Sequence, residues 1–310
     1  MPPLTIATPG LSLTLVPEWG GKVTSLRDQR TGREWLWQNP HLPHRAPTGS
    51  GDFVGESDTG GWDECFPTVD RCAYPLPPHE GRDCRDHGLL WERGWRVEGQ
   101  RADAITLSVD LPEWGFHVER TVRLHDVAMA TFDYAIQNTG SEALVGVWAT
   151  HPVFALEDGS RLEFPEGTTV RFSHRRGAAR AWAAGREVVP AHELPLVFRD
   201  VDPLGPESFA AKFMTERLPE PRAALVHPDG SRLGMEFPAG DFDGFAVWAN
   251  QRGWSGKAGI PPYLNLCLEP QGGRRDSLAD AVAEHALLLR FDAGATRRMR
   301  LSLRVAGPAR

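Results

Sequence analysis

Long hydrophobic runs are missing from this 310-residue chain. No segment approaches the ~18 consecutive apolar residues of a spanning helix, so no membrane partner is expected. The opening stretch, residues 1–22, has no basic region followed by an apolar run, so no signal peptide is read there, and a cytoplasmic protein is expected. Cysteine is scarce: the 4 residues Cys65, Cys72, Cys84 and Cys267 are too few for a disulfide scaffold and form no Cys-x-x-Cys pair, which predicts reduced thiols. Three of them fall near His79 and His87, but the spacing fits no zinc template and no metal is expected. Concentrated positive charge is also lacking, since net charge is −7 and Lys and Arg are scattered; this argues against nucleic acid as a partner. Helical periodicity is confined to one short run, Ser277 to Glu284, which excludes parallel βαβ winding.

What the chain does have is period-two alternation. It begins with Leu11, Leu13 and Leu15 against Ser12 and Thr14, and recurs over Phe116–Leu124, Phe132–Ile136 and Met299–Val305. Successive side chains of a strand point to opposite faces, so such segments read as half-buried antiparallel strands. Turn signals fall between them, at Asn138-Thr-Gly140, Asp158-Gly159, Pro228-Asp-Gly230 and Ala293-Gly294. The 32 Gly and 26 Pro suit many short connections. An all-β fold is expected, a large antiparallel β-sandwich over residues 1–310 as a single domain. One stretch, Gly49 to Gly88, breaks the alternation and is rich in Gly, Asp, Pro, His and Cys, which marks a long structured loop of functional type.

Four segments can carry chemistry. In Tyr263-Leu-Asn-Leu-Cys-Leu-Glu269-Pro270, Tyr263, Asn265, Cys267 and Glu269 share a polar face, and Pro270 is expected to end the strand with the carboxylate at a rim. The segment ending in His151-Pro152 repeats that plan with an imidazole. In Arg85-Asp86-His87-Gly88 the glycine permits a tight turn that projects His87, with Asp86 placed to orient its ring. In Gly60-Gly-Trp62-Asp63-Glu64 and on to Asp70-Arg71, carboxylates flank an aromatic. Tryptophans accompany these polar groups, at Trp62, Trp91, Trp148 and Trp248 among 11 in the chain. Sugars present flat CH faces ringed by hydroxyls, so aromatic platforms beside His, Asn, Asp, Glu and Arg suit a sugar site.

Taken together and in chain order, these segments resemble the aldose 1-epimerase (galactose mutarotase-like) superfamily. Gly20-Gly-Lys-Val-Thr-Ser-Leu26 with Thr31-Gly-Arg-Glu-Trp35 resembles its opening hairpin, and His87-Gly88 with Trp95 its His-Gly and Trp segment. His151-Pro-Val-Phe154 is similar to its His-x-x-Phe segment, and Leu268-Glu269-Pro-Gln271 to its Leu-Glu-Pro-Gln segment. The resemblance implies an isomerase that interconverts the anomers of an aldose without a cofactor. Glu269 would take the proton of the anomeric hydroxyl and His151, as an imidazolium, would protonate the ring oxygen. His87, Arg71, Asp63 and Trp248 would bind the sugar.

The early loop departs from the family pattern, with Phe66-Pro-Thr-Val-Asp70-Arg71 in place of an Asn-Arg-Ile segment, and the substrate-binding aspartate is matched only by position, at Asp241 or Asp243. The reaction type is therefore better supported than galactose as substrate. The rival readings are a hexose-6-phosphate epimerase using Arg274 and Arg275 on the phosphate, a non-catalytic sugar-binding protein of the same fold, and a glycoside hydrolase. A hydrolase would call for two carboxylates flanking the bond.

Overall fold

The alternating segments become strands whose buried faces match the pattern. In the computed structural model, which describes residues 2–308, Phe116–His125 buries Phe116, Val118, Arg120, Val122 and Leu124, and Met129–Asn138 buries every second residue from Ala130. Thr296–Ala306 buries Met299, Leu301, Leu303 and Val305. These three strands pair antiparallel at the centre of an eight-stranded sheet. A ten-stranded antiparallel sheet faces it, in the order Leu4–Ala7, Leu11–Val16, Lys22–Asp28, Trp62–Cys65, Trp148–Ala155, Leu264–Gly272, Gly244–Gln251, Phe209–Arg217, Thr169–Gly177, Val188–Pro190. Side chains from both sheets, among them Leu266, Leu268, Val247, Phe213, Phe132 and Leu301, form the main apolar core between the layers. The fold is thus the expected all-β sandwich. Its helices are short, and Leu278–Ala283, capped by Ser277, lies inside the helical run read from the sequence.

Two differences from expectation matter for the site. The strands holding His151 and Glu269 do not stop at their prolines: Trp148–Ala155 runs through Pro152 and Leu264–Gly272 runs through Pro270. They pair through Trp148–Ala149 with Gln271–Gly272 and through Val153–Ala155 with Asn265–Cys267, and the ladder lapses between. Neither proline has an N–H to give, so the interruption falls where both occur, and pairing on either side holds the strands in place. The Gly49–Gly88 segment also contains more regular structure than expected. Trp62–Cys65 within it joins the large sheet beside Trp148–Ala155, and all four of its residues are buried.

One buried ion pair spans the layers. Arg120, on the eight-stranded sheet, donates to Glu64 Oε1 at 3.0 Å, and Tyr134 donates to the same oxygen at 2.9 Å. Arg120 also donates to the Gly21 carbonyl and lies 5.2 Å from the Trp95 ring centroid. Both charged side chains are fully buried. Burial pushes the Glu64 carboxyl up to about 7 despite the opposing charge of Arg120.

Candidate active site

The outward face of the large sheet carries a polar patch fixed by strand register. His151 lies opposite Asp63 on one neighbouring strand. On its other side the flanking pairs Ala149 with Gln271 and Val153 with Cys267 bring His151 level with Glu269. Trp248 pairs with both Cys267 and Lys212, and Lys212 pairs with His174. Cross-strand partners point the same way. Six strands thereby deliver Asp63, His151, Cys267, Glu269, Trp248, Lys212 and His174 to one face.

A cavity of about 350 Å³ opens on this face, within the size range of small-molecule sites. His151, Cys267, Lys212 and Asn265 line it from the sheet, and Phe53, Asp70, Asp86 and His87 reach it from the Gly49–Gly88 segment. A small apolar cluster of Trp37, Val153, Tyr263 and Cys267, with Trp248 packed on it, borders it apart from the main core. His87 adopts φ +58° and Gly88 φ +75°. A Cβ at Gly88 would stand 2.2 Å from the Phe66 carbonyl oxygen, so this turn demands glycine. The turn presents His87 with its Nδ1 donating to Asp86 Oδ1 at 2.9 Å and its ring stacked on Phe53, 4.0 Å between centroids. Burial opposes ionisation of Asp86, but the charge of His87 and the hydrogen bonds it receives hold its carboxyl below the usual range.

Glu269 lies deeper than expected. Instead of standing at a rim, it is wholly buried, and Lys212 Nζ donates to Oε1 at 2.9 Å and to Oε2 at 2.8 Å. The same ammonium is 3.5 Å from Asp276 Oδ1. Burial alone would discharge Lys212, but the carboxylates of Asp276 and Glu269 and the hydrogen bonds to Glu269 hold its pKa well above the ordinary value. His151 Nε2 is 4.0 Å from Glu269 Oε1, and its ring meets His87 edge-on at 4.9 Å. His151, Cys267 and Glu269 offer ligand atoms within 4.8 Å of one another, and the cation that neutralises this group is Lys212.

The imidazolium expected at position 151 is disfavoured. Burial, then the positive charges of His87, Lys212 and Lys22, hold the ring's pKa well below its usual value. Such a histidine stabilises the fold above its unfolded-state value of 6.5, and that contribution is lost as pH falls from there toward the lower folded value. The midpoint of thermal unfolding should therefore drop between about pH 6.5 and 5, and His151→Asn should make the drop shallower; calorimetry across that range checks it.

The other residues singled out in the sequence fall in several places. Trp248 lines the cavity, edge-on to Trp254 at 5.2 Å and stacked near His174. Trp62 and Trp148 belong to the core between the sheets, and Trp91 packs edge-on against Phe53, so these three are not sugar platforms. Arg71 points away: its exposed guanidinium makes a two-pronged bond to Asp83, 2.8 and 2.9 Å. Asp63 shares the His151 face but is bound by Lys22 at 2.8 Å and lies beside the cavity. Asp241 accepts from the Arg300 backbone and Asp243 from that of Gly273, which makes both loop-fixing residues. Arg274 bonds the Glu216 carbonyl and Arg275 the Glu284 carboxylate, so neither faces the cavity. Sequence reasoning passed over Lys212, Asp276, His174 and Arg176. Lys212 had a legible signal, a single charge inside the apolar strand Phe209-Ala-Ala-Lys212-Phe-Met214.

Residues 3–271, from the first strand through the Glu269 segment, match the aldose 1-epimerase family. The chain belongs to that family. Solved structures share its architecture. A galactose mutarotase related enzyme from Lactobacillus acidophilus is 16% identical with a TM-score of 0.69, over 99% of this chain and 98% of that one. A galactose mutarotase-like protein from Lactobacillus casei is also 16% identical, with a TM-score of 0.65 over 98% and 100%. The aldose epimerase homologue from C. elegans is 13% identical, with a TM-score of 0.64 over 99% of both chains. At these identities the likeness establishes the galactose mutarotase-like fold alone. No curated protein matches the chain. Among the described residues of this family member, no helix is long and apolar enough to cross a membrane.

Proposed function

We propose that this aldose 1-epimerase family member interconverts the α and β anomers of a free aldose, with Glu269 as the base and His151 as the group that serves the ring oxygen. The observation that carries this reading is the meeting of His151 and Glu269, 4.0 Å apart, beneath a cavity of sugar size. Ring opening needs one proton removed from the anomeric hydroxyl and one delivered to the ring oxygen, and two adjacent groups of these types do both. Lys212 donates to both oxygens of the buried Glu269, and a hydroxyl reaching the floor exchanges one of these two contacts for its own. A neutral His151 needs a proton source, and His87, backed by Asp86 and 4.9 Å away, is placed to relay one. Closure on the opposite face of the carbonyl returns the protons.

The lining also supports a polyhydroxylated, uncharged substrate. His151 Nδ1 and Asn265 Oδ1 are buried polar atoms without a hydrogen-bond partner, which sugar hydroxyls can satisfy. Trp248 and Trp254 offer aromatic surface. Arg176 and Lys212 line the cavity against the three carboxyl groups of Asp70, Asp86 and Asp276, and Lys212 is already engaged by Glu269 and Asp276. That balance disfavours a dianionic phosphate, so the free sugar is preferred over a hexose 6-phosphate.

The test is mutarotation of freshly dissolved aldoses and their 6-phosphates, followed by polarimetry. Acceleration of a free sugar well above the 6-phosphate is expected. Binding without acceleration of any sugar would leave a non-catalytic sugar-binding protein as the correct reading.

A further inference from the structure

We propose that Cys72 and Cys84 form a reactive dithiol that exchanges with small-molecule disulfides and closes an intramolecular Cys72–Cys84 bond. The two residues face each other across the short antiparallel ladder Cys72–Ala73 with Asp83–Cys84. Tyr74 N donates to Arg82 O at 2.8 Å in the same register, so by alternation Cys72 and Cys84 are also a directly hydrogen-bonded pair. Such pairs carry both side chains on one side of the ladder with Cα atoms about 5.5 Å apart, inside the span of disulfides, and closing the bond requires the Cβ atoms to draw together by about 1 Å. The thiols are within hydrogen-bonding reach of each other, and Cys72 Sγ also lies 3.7 Å from the Thr68 hydroxyl.

The two sulfurs differ in the way exchange requires. Cys72 is half-buried and Cys84 is fully buried. The hydrogen bond from Cys84 lowers the Cys72 thiol to about 6, while the same contact raises that of Cys84. The thiolate is the attacking species, so Cys72 is the nucleophile and Cys84 the resolving thiol. The Cys72 thiolate attacks one sulfur of the external disulfide, whose S–S bond breaks and releases one small thiolate to be protonated. Cys84 then gives up its proton and attacks the Cys72 sulfur, expelling the second small thiol. Two protein thiols are oxidised to one disulfide, and one external disulfide is reduced to two thiols. Cys65 and Cys267 are buried away from this hairpin, and burial pushes both their thiols up, so they stay reduced.

The position gives the bond a consequence for the cavity. The hairpin runs between Asp70 and the Asp86–His87 turn, and His87 N donates to Val69 O at 2.6 Å where its two arms converge. A Cys72–Cys84 bond staples together the arms that bring these groups to the cavity.

The experiment does not depend on any sugar chemistry. Folded protein is incubated with oxidised glutathione, quenched in acid, alkylated, digested and mapped by mass spectrometry. The wild type is expected to yield a linked Cys72–Cys84 peptide with Cys65 and Cys267 alkylated. Cys84→Ser, checked for native circular dichroism, should stop at a glutathione adduct on Cys72, and Cys72→Ser should give neither adduct nor bond. The proposal is overturned if the wild type keeps Cys72 and Cys84 as free thiols, stops at the adduct, or is modified at Cys65 or Cys267 instead.

Discussion

Glu269→Gln should lower kcat for anomer interconversion by about 10²–10⁴-fold and leave sugar affinity close to that of the wild type. The amide keeps the size of the carboxylate and an oxygen for Lys212, but it has no lone pair basic enough to take a hydroxyl proton. Lys212 retains Asp276 at 3.5 Å, so the charged network loses one partner and not both. Anomer exchange measured by NMR at saturating sugar reports the chemical step, and calorimetry reports binding. A variant with wild-type kcat would remove Glu269 as the base. A variant that loses binding in step with kcat would show that Glu269 shapes the cavity floor instead.

Arg120→Met should cost about 3–5 kcal/mol of folding stability, since it strands a fully buried carboxylate. Glu64 would keep the Tyr134 hydrogen bond but lose the guanidinium beside it. The loss should be smaller near pH 5 than near pH 8. A carboxyl whose folded pKa lies above its unfolded value of 4.5 takes up a proton as pH falls through the folded value, and the neutral form bears little burial penalty. Urea unfolding at the two pH values measures both effects. The double substitution with Glu64→Leu should recover much of the loss, because well-packed apolar groups often match or exceed a buried ion pair. A single variant within about 1 kcal/mol of wild type would mean the pair is not what ties the layers.

How much of this was legible in the sequence depended on exposure. Strands with one wet face, such as Phe116–His125, announce themselves because burial alternates. Trp62–Cys65 did not, since a strand covered on both faces has no alternation to show. Pro152 and Pro270 were read as strand ends from a rule about donors that holds for a single strand; aligned across one gap, the two prolines sit inside a continuous sheet. Glu269, His151, His87 and Trp248 were each picked out by a local motif, and all four sit in or beneath one cavity. Asp63 was picked from a segment of carboxylates flanking an aromatic and Arg71 was implied by the family resemblance, and each is claimed by another ion partner, Lys22 and Asp83. Lys212 was missed because its meaning comes from two carboxylates 57 and 64 positions later, a relation that register creates and no local pattern carries.

The closed group of Lys212, Glu269 and Asp276 has a further consequence. One ammonium and two carboxylates lie within a few ångströms of one another and are nearly buried, where dissolved ions gather far less than at the surface. The surface pairs, such as Arg71 with Asp83, weaken whenever the salt content of the medium rises. The field met by a ligand at the cavity floor is instead set mainly by the fold, and it changes far less as the surrounding solution goes from dilute to concentrated.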